Sequence, residues 1–98
     1  MPERSVEVTV RGDVQGVGFR WFVERTAMGL GLTGWVANAE DGSVSVVAEG
    51  PSEAIDALLE RLREGPPGAH VRAVTAGEAL PSGRFDRFEI RSGWHRGD

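Results

Sequence analysis

The chain contains no cysteine. Disulfides, thiolate nucleophiles and cysteine-based metal sites are therefore excluded. Lysine is missing as well; all 11 basic residues are arginine. That removes lysine Schiff-base chemistry and a P-loop lysine. It also means that a functional arginine must be recognised by position, because the residue type alone distinguishes nothing. No apolar run approaches the roughly 20 residues needed to span a bilayer. The Met1-Pro2-Glu3-Arg4-Ser5 start lacks the basic-then-apolar layout of a secretory signal. Positive charge is in deficit, with a formal net charge of -4. This opposes nonspecific attachment to nucleic acid or to an anionic membrane. His70 and His95 stand alone, outside any metal-ligand spacing. His70 follows the Pro66-Pro67-Gly68 turn and reads as a surface-loop residue. Neither a metal nor an organic cofactor is expected, and a cytoplasmic location fits these absences.

What remains is ordinary for a globular protein: 98 residues, 40% hydrophobic and 27% charged. One domain over residues 1–98 is expected, with a modest core and a loose tail from Gly93 on. Residues 5–11 alternate strictly, Val6, Val8 and Val10 against Glu7, Thr9 and Arg11. That is the pattern of a half-buried strand. Between 20 and 30 the period becomes helical, with Phe19, Val23, Ala27 and Leu30 on one face and Gly29 and Gly31 as the stop. Residues 33–38 and 43–49 read as strands joined by a hairpin turn at Asp41-Gly42. Ser52 is placed as the N-cap of a second helix carrying Ile55, Leu58, Leu59 and Leu62 at i, i+3, i+4 and i+7. Gly65 ends that helix. Further strands are expected over 71–76 and 88–91, separated by a loop at 80–84. The order β-α-β-β-α-β plus a short fifth strand predicts a ferredoxin-like two-layer α+β sandwich: an antiparallel sheet with two helices on one face. In that topology the first two strands are parallel, joined by a right-handed crossover. Their C-terminal ends then share one edge, which brings Asn38 toward the loop that leaves the first strand.

That loop is the most informative segment. Gly12-Asp13-Val14-Gln15-Gly16-Val17-Gly18-Phe19-Arg20 connects a strand to a helix. Its glycines accept positive φ at little cost. Successive N–H groups in such a turn can form an anion nest, and the helix behind it adds the positive end of its dipole. Arg20 can donate two parallel hydrogen bonds to a phosphate. A plain glycine-rich turn with an exposed arginine is the competing reading of this run taken alone.

A second segment, Gly34-Trp35-Val36-Ala37-Asn38 followed by Asp41-Gly42-Ser43-Val44, joins the Val14-Gln15-Gly16-Val17-Gly18-Phe19-Arg20 run at a characteristic spacing. With both in place the chain resembles the acylphosphatase family from about Val6 to Ile90. The resemblance implies the same fold with the last strand on the sheet edge, and hydrolysis of the carboxyl–phosphate bond of acyl phosphates. It implies that Arg20 and the backbone of Gln15, Gly16, Val17, Gly18 and Phe19 bind the phosphoryl group, and that Asn38 positions the attacking water. The chemistry fits: a carboxylate leaves readily, so such a substrate needs positioning and charge stabilisation more than a covalent nucleophile. Inorganic phosphate or sulfate should compete, and a monomer is expected.

Several residues carry open alternatives. Gln15 either orients the loop or touches substrate. Trp21 and Trp35 either line an acyl pocket or pack. The acidic pairs Glu40-Asp41 and Asp56-Glu60 read as solvated charge rather than paired catalytic carboxylates. A non-catalytic module that binds small anions or acyl phosphates on the same fold is the alternative function. An RNA-binding sheet is rejected, because the 43–47 strand has no aromatic and the chain is acidic. A domain like the N-terminal part of hydrogenase-maturation carbamoyltransferases is a weaker reading. Those proteins continue into zinc-binding and catalytic regions, whereas this chain ends at Asp98 without a cysteine.

Overall fold

A computed structural model of the chain describes residues 2–92. The expectations for His95 and for the tail from Gly93 on lie outside the described residues. The elements follow in the order β1 (Arg4–Asp13), α1 (Phe19–Gly29), β2 (Thr33–Asn38), β3 (Val44–Gly50), α2 (Ser52–Glu64), β4 (His70–Ala79) and β5 (Phe88–Ile90). They form one five-stranded sheet in the order β4-β1-β3-β2-β5. The pairings β1–β3, β1–β4 and β2–β3 are antiparallel, and β5 adds a parallel pairing on the outer side of β2. Both β1 and β2 run antiparallel to β3, so they are parallel to each other, as the crossover requires.

Register shows why the alternation matters. Val6, Val8 and Val10 lie opposite Ala48, Val46 and Val44, and Val36 lies opposite Val46 from the other side. These residues make one buried face. Phe19, Val23 and Ala27 of α1 and Ile55, Leu58, Leu59 and Leu62 of α2 pack on that face in a single core cluster. The opposite face carries Glu7, Ser45 and Trp35. Trp35 is half-buried there, with the Arg91 guanidinium 4.7 Å from its ring centre. It therefore packs, on the side of the sheet away from the helices.

Two local expectations change, and one surface charge gains a partner. The strand expected over 71–76 runs from His70 to Ala79, so His70 begins a strand while remaining exposed. Ser52 is the first helical residue, and Pro51 occupies the N-cap. Proline cannot cap through a side chain, and the carboxylate of Glu3 instead accepts the Ser52 N–H at 2.9 Å. Asp56 is drawn into an ion pair with Arg4 at 2.7 Å, which also reaches Glu78 of β4 at 2.7 Å.

Candidate active site

The end of β1 sets the site. The β1–β4 register shifts between Arg11 and Gly12, and Gly12 has φ 136°. A Cβ at Gly12 would overlap the His70 carbonyl oxygen, so only glycine fits this bulge. Beyond it, Val14 and Phe19 are both sunk into the core. They pin the two ends of the loop, while Gly16 and Gly18 between them are exposed at φ 77°. Gly18 is the N-cap of α1 in the left-handed region, with no side chain to cap the helix and no acid in the first turn. The first bonded N–H is that of Phe22, donating to the Gly18 carbonyl at 3.0 Å. Helix geometry leaves the preceding N–H groups, those of Phe19, Arg20 and Trp21, without an intrahelical partner.

A cavity of about 180 Å³ opens on this helix end, lined by Val14, Gly16, Gly18, Phe19, Arg20, Trp21, Asn38 and Ile90. Arg20 and Asn38, from the start of α1 and the end of β2, thus converge on one space with the loop backbone. The half-buried Arg20 guanidinium donates to the Arg91 carbonyl at 2.9 Å. Arg91 is itself held by its N–H donating to the Val36 carbonyl at 2.8 Å. The end of β5 thereby orients the arginine. No sequence signal marks this partner, because a main-chain carbonyl carries no residue type. Asn38 is half-buried and lines the cavity.

Gln15 is in the loop but not on the cavity wall. Its amide Nε2 donates to the carbonyls of Ala39 at 2.8 Å and Ser43 at 2.9 Å. The side chain therefore ties the loop to the hairpin that carries Asn38. Val17 likewise faces a neighbouring groove. The hairpin is itself closed by Asp41, whose carboxylate accepts from the Ser43 hydroxyl at 2.6 Å and the Ser43 N–H at 2.9 Å. Those bonds, with Arg11 at 3.0 Å, hold the Asp41 carboxyl at about 2. Its charge is spent on the turn, and Glu40 beside it is exposed. Among the described residues, no group of three or more His, Asp or Glu side chains could hold a metal ion. No helix among them is long and apolar enough to cross a membrane.

The acylphosphatase family model matches residues 6–90. The chain belongs to the acylphosphatase family. An acylphosphatase of Syntrophotalea carbinolica is 50% identical over 86 residues, which is 88% of this chain and 94% of that one. The crystal structure of an acylphosphatase from Bacillus subtilis superposes with a TM-score of 0.87 at 38% identity, covering 90% of this chain and 98% of that one. The structure of full-length HypF in its phosphate- and nucleotide-bound form gives a TM-score of 0.86 at 27% identity, over 99% of this chain but 13% of that longer one. The fold is that of the acylphosphatases, and the protein is a hydrolase of acyl phosphates. The reading as an anion-binding module without turnover gives way to the enzyme.

Proposed function

We propose that the cavity at the α1 N-terminus binds the phosphoryl group of an acyl phosphate and that a water held by Asn38 attacks its phosphorus. Arg20 and the N–H groups of the 15–20 loop take the phosphoryl oxygens. They stabilise charge as it develops on them in the transition state. The Asn38 amide both donates and accepts, so it can fix a water opposite the leaving oxygen. The water oxygen bonds to phosphorus as the P–O bond to the acyl group breaks, and the carboxylate departs with the electron pair. The water proton passes to an oxygen of the substrate's own phosphate, giving carboxylate and inorganic phosphate. Gln15 acts as a positioning residue, holding loop and hairpin in register.

The observation that carries this reading is the convergence of Arg20 and Asn38 on the open helix end. The same reading takes the enzyme as a single-domain, cytoplasmic monomer that inorganic phosphate or sulfate inhibits competitively. The test is steady-state hydrolysis of benzoyl phosphate before and after exhaustive chelation. Turnover independent of the chelator is expected, and a strict requirement for a divalent cation would overturn the mechanism.

A further inference from the structure

Beside the proposed phosphoryl site lies a second, larger opening of about 670 Å³ between α1, α2 and the turn after α2. It shares Gly18 and Trp21 with the phosphoryl cavity, so the two spaces meet at the Trp21 ring. Trp21 is 57% exposed, an unusual state for a tryptophan that could pack on a core. Val17, Phe22 and Pro66 add apolar wall. The charged lining is Arg25 and Arg61, with no carboxylate among the lining residues, in a chain whose net charge is -4. Both guanidiniums are held over rings: Arg25 lies 4.5 Å from the Trp21 ring centre and Arg61 lies 5.3 Å from that of Phe22. Arg61 also meets Glu64 through Nε at 3.4 Å, an exposed contact one helical turn along α2. Among the described residues Arg25 has no ion-pair partner.

An acyl phosphate whose phosphoryl group sits at the α1 N-terminus must send its acyl group out past the rim of that cavity. Trp21 forms part of the rim and offers a flat apolar face. The two arginines beyond it are positioned for a negative charge further along the acyl group. Resting on the proposed phosphoryl site, we infer that this groove is the acyl subsite and that it selects acyl phosphates bearing a second anionic group. Trp21 is the wall against which the acyl chain or ring lies, and Arg25 and Arg61 receive the distal carboxylate or phosphate. The arginines touch neither the reacting phosphorus nor the water, so they set specificity rather than rate. An exposed ion pair of this kind is worth a few-fold in affinity, and two together give a preference of about five- to tenfold. The preference should fall with added salt.

The experiment compares kcat/KM for 4-carboxybenzoyl phosphate with that for its neutral isostere, 4-carbamoylbenzoyl phosphate. The wild-type protein should favour the acid by about five- to tenfold at low ionic strength. In the double variant Arg25→Gln/Arg61→Gln the ratio should collapse toward one. In Arg63→Gln, on α2 but outside the groove, the ratio should persist. Both arginines are exposed on helix surfaces, so the variants should fold. If the wild type hydrolyses both substrates without preference, or the double variant keeps the preference, the acyl-subsite inference fails and the phosphoryl site stands. If the wild type hydrolyses neither, the phosphoryl-site reading fails with it.

Discussion

The two helices begin in opposite ways. At α2 the chain satisfies its own N-terminus: the Glu3 carboxylate accepts the Ser52 N–H, and Glu53 lies in the first turn. Both place negative charge at the positive end of the helix dipole, the stabilising arrangement. At α1 the N-cap is Gly18, no side chain caps it, no acid lies in the first turn, and Arg20 puts a cation there. That cation has the unfavourable sign, at a cost of about 0.3–1 kcal/mol. A glycine in place of a capping side chain typically forgoes a few tenths of a kcal/mol more. Glu49 repeats the α2 solution in a turn: buried at 2% exposure, it accepts the N–H groups of Ser82 and Gly83, each at 2.9 Å. Where the protein needs stability it supplies its own carboxylate. At α1 no carboxylate lies in the first turn, and in the proposed function an incoming anion takes the donors.

Breaking the open end should damage catalysis and spare the fold. Arg20→Gln has the largest expected effect, a fall of at least about 10²–10³ in kcat/KM, with both kcat and KM affected. Its unfolding free energy should stay within about 1 kcal/mol of wild type, since the change also removes a cation from the positive helix end. Chemical denaturation beside steady-state kinetics checks both halves. Asn38→Ala should lower kcat by about 10²-fold and leave KM nearly unchanged, because it disturbs the water rather than the phosphoryl contacts. A raised KM with kcat spared would remove Asn38 from that role. Gln15→Ala should be milder, about tenfold in kcat/KM. It should also lose about 1 kcal/mol of stability, since two hydrogen bonds to the hairpin go with it. The same kinetic and denaturation pair distinguishes this mixed result from the other two.

The closed turns should behave in the reverse sense. Burial alone would push the Glu49 carboxyl up, but the Ser82 and Gly83 N–H groups and the Ser82 and Ser5 hydroxyls outweigh it, and the net direction is down. A lowered folded-state pKa means that the unfolded chain binds the proton more tightly. The stabilisation is therefore complete above the unfolded value of about 4.3 and is lost as pH falls below it. Glu49→Gln should cost about 1–2 kcal/mol at pH 7, leave kcat/KM intact, and flatten the loss of stability below pH 4. Thermal unfolding across pH 3–7 measures the two stability effects against the wild type, and steady-state hydrolysis measures kcat/KM.

What the sequence made legible follows from which contacts are local. The alternation of Val6, Val8 and Val10, the helical period of α2 and the glycine spacing of the loop are carried within a few residues, and each stands where expected. Asn38 reached the loop through topology alone, because parallel β1 and β2 must end on one side. The missed features depend on distant partners. Glu3 caps α2 from the other end of β1, and Arg91 orients Arg20 through a carbonyl. The extension of β4 to Ala79 is hidden because Gly77, Glu78 and Ala79 have little strand preference; pairing with β1 holds them. Gln15 was ambiguous for a related reason: its two acceptors are main-chain carbonyls in a hairpin far along the chain.

In the proposed function the α1 N-terminus and Arg20 form a ready-made seat for a phosphoryl group. Thermal unfolding with inorganic phosphate tests it most directly, because a ligand that binds only the native state must stabilise it by RT ln(1 + [L]/Kd). At about 100 times its Kd, phosphate should add about 2.7 kcal/mol to the wild type. Arg63→Gln should gain the same, Arg20→Gln should gain almost nothing, and chloride at matched ionic strength should not reproduce the effect. Equal stabilisation of wild type and Arg20→Gln by phosphate would remove Arg20 from the phosphoryl seat.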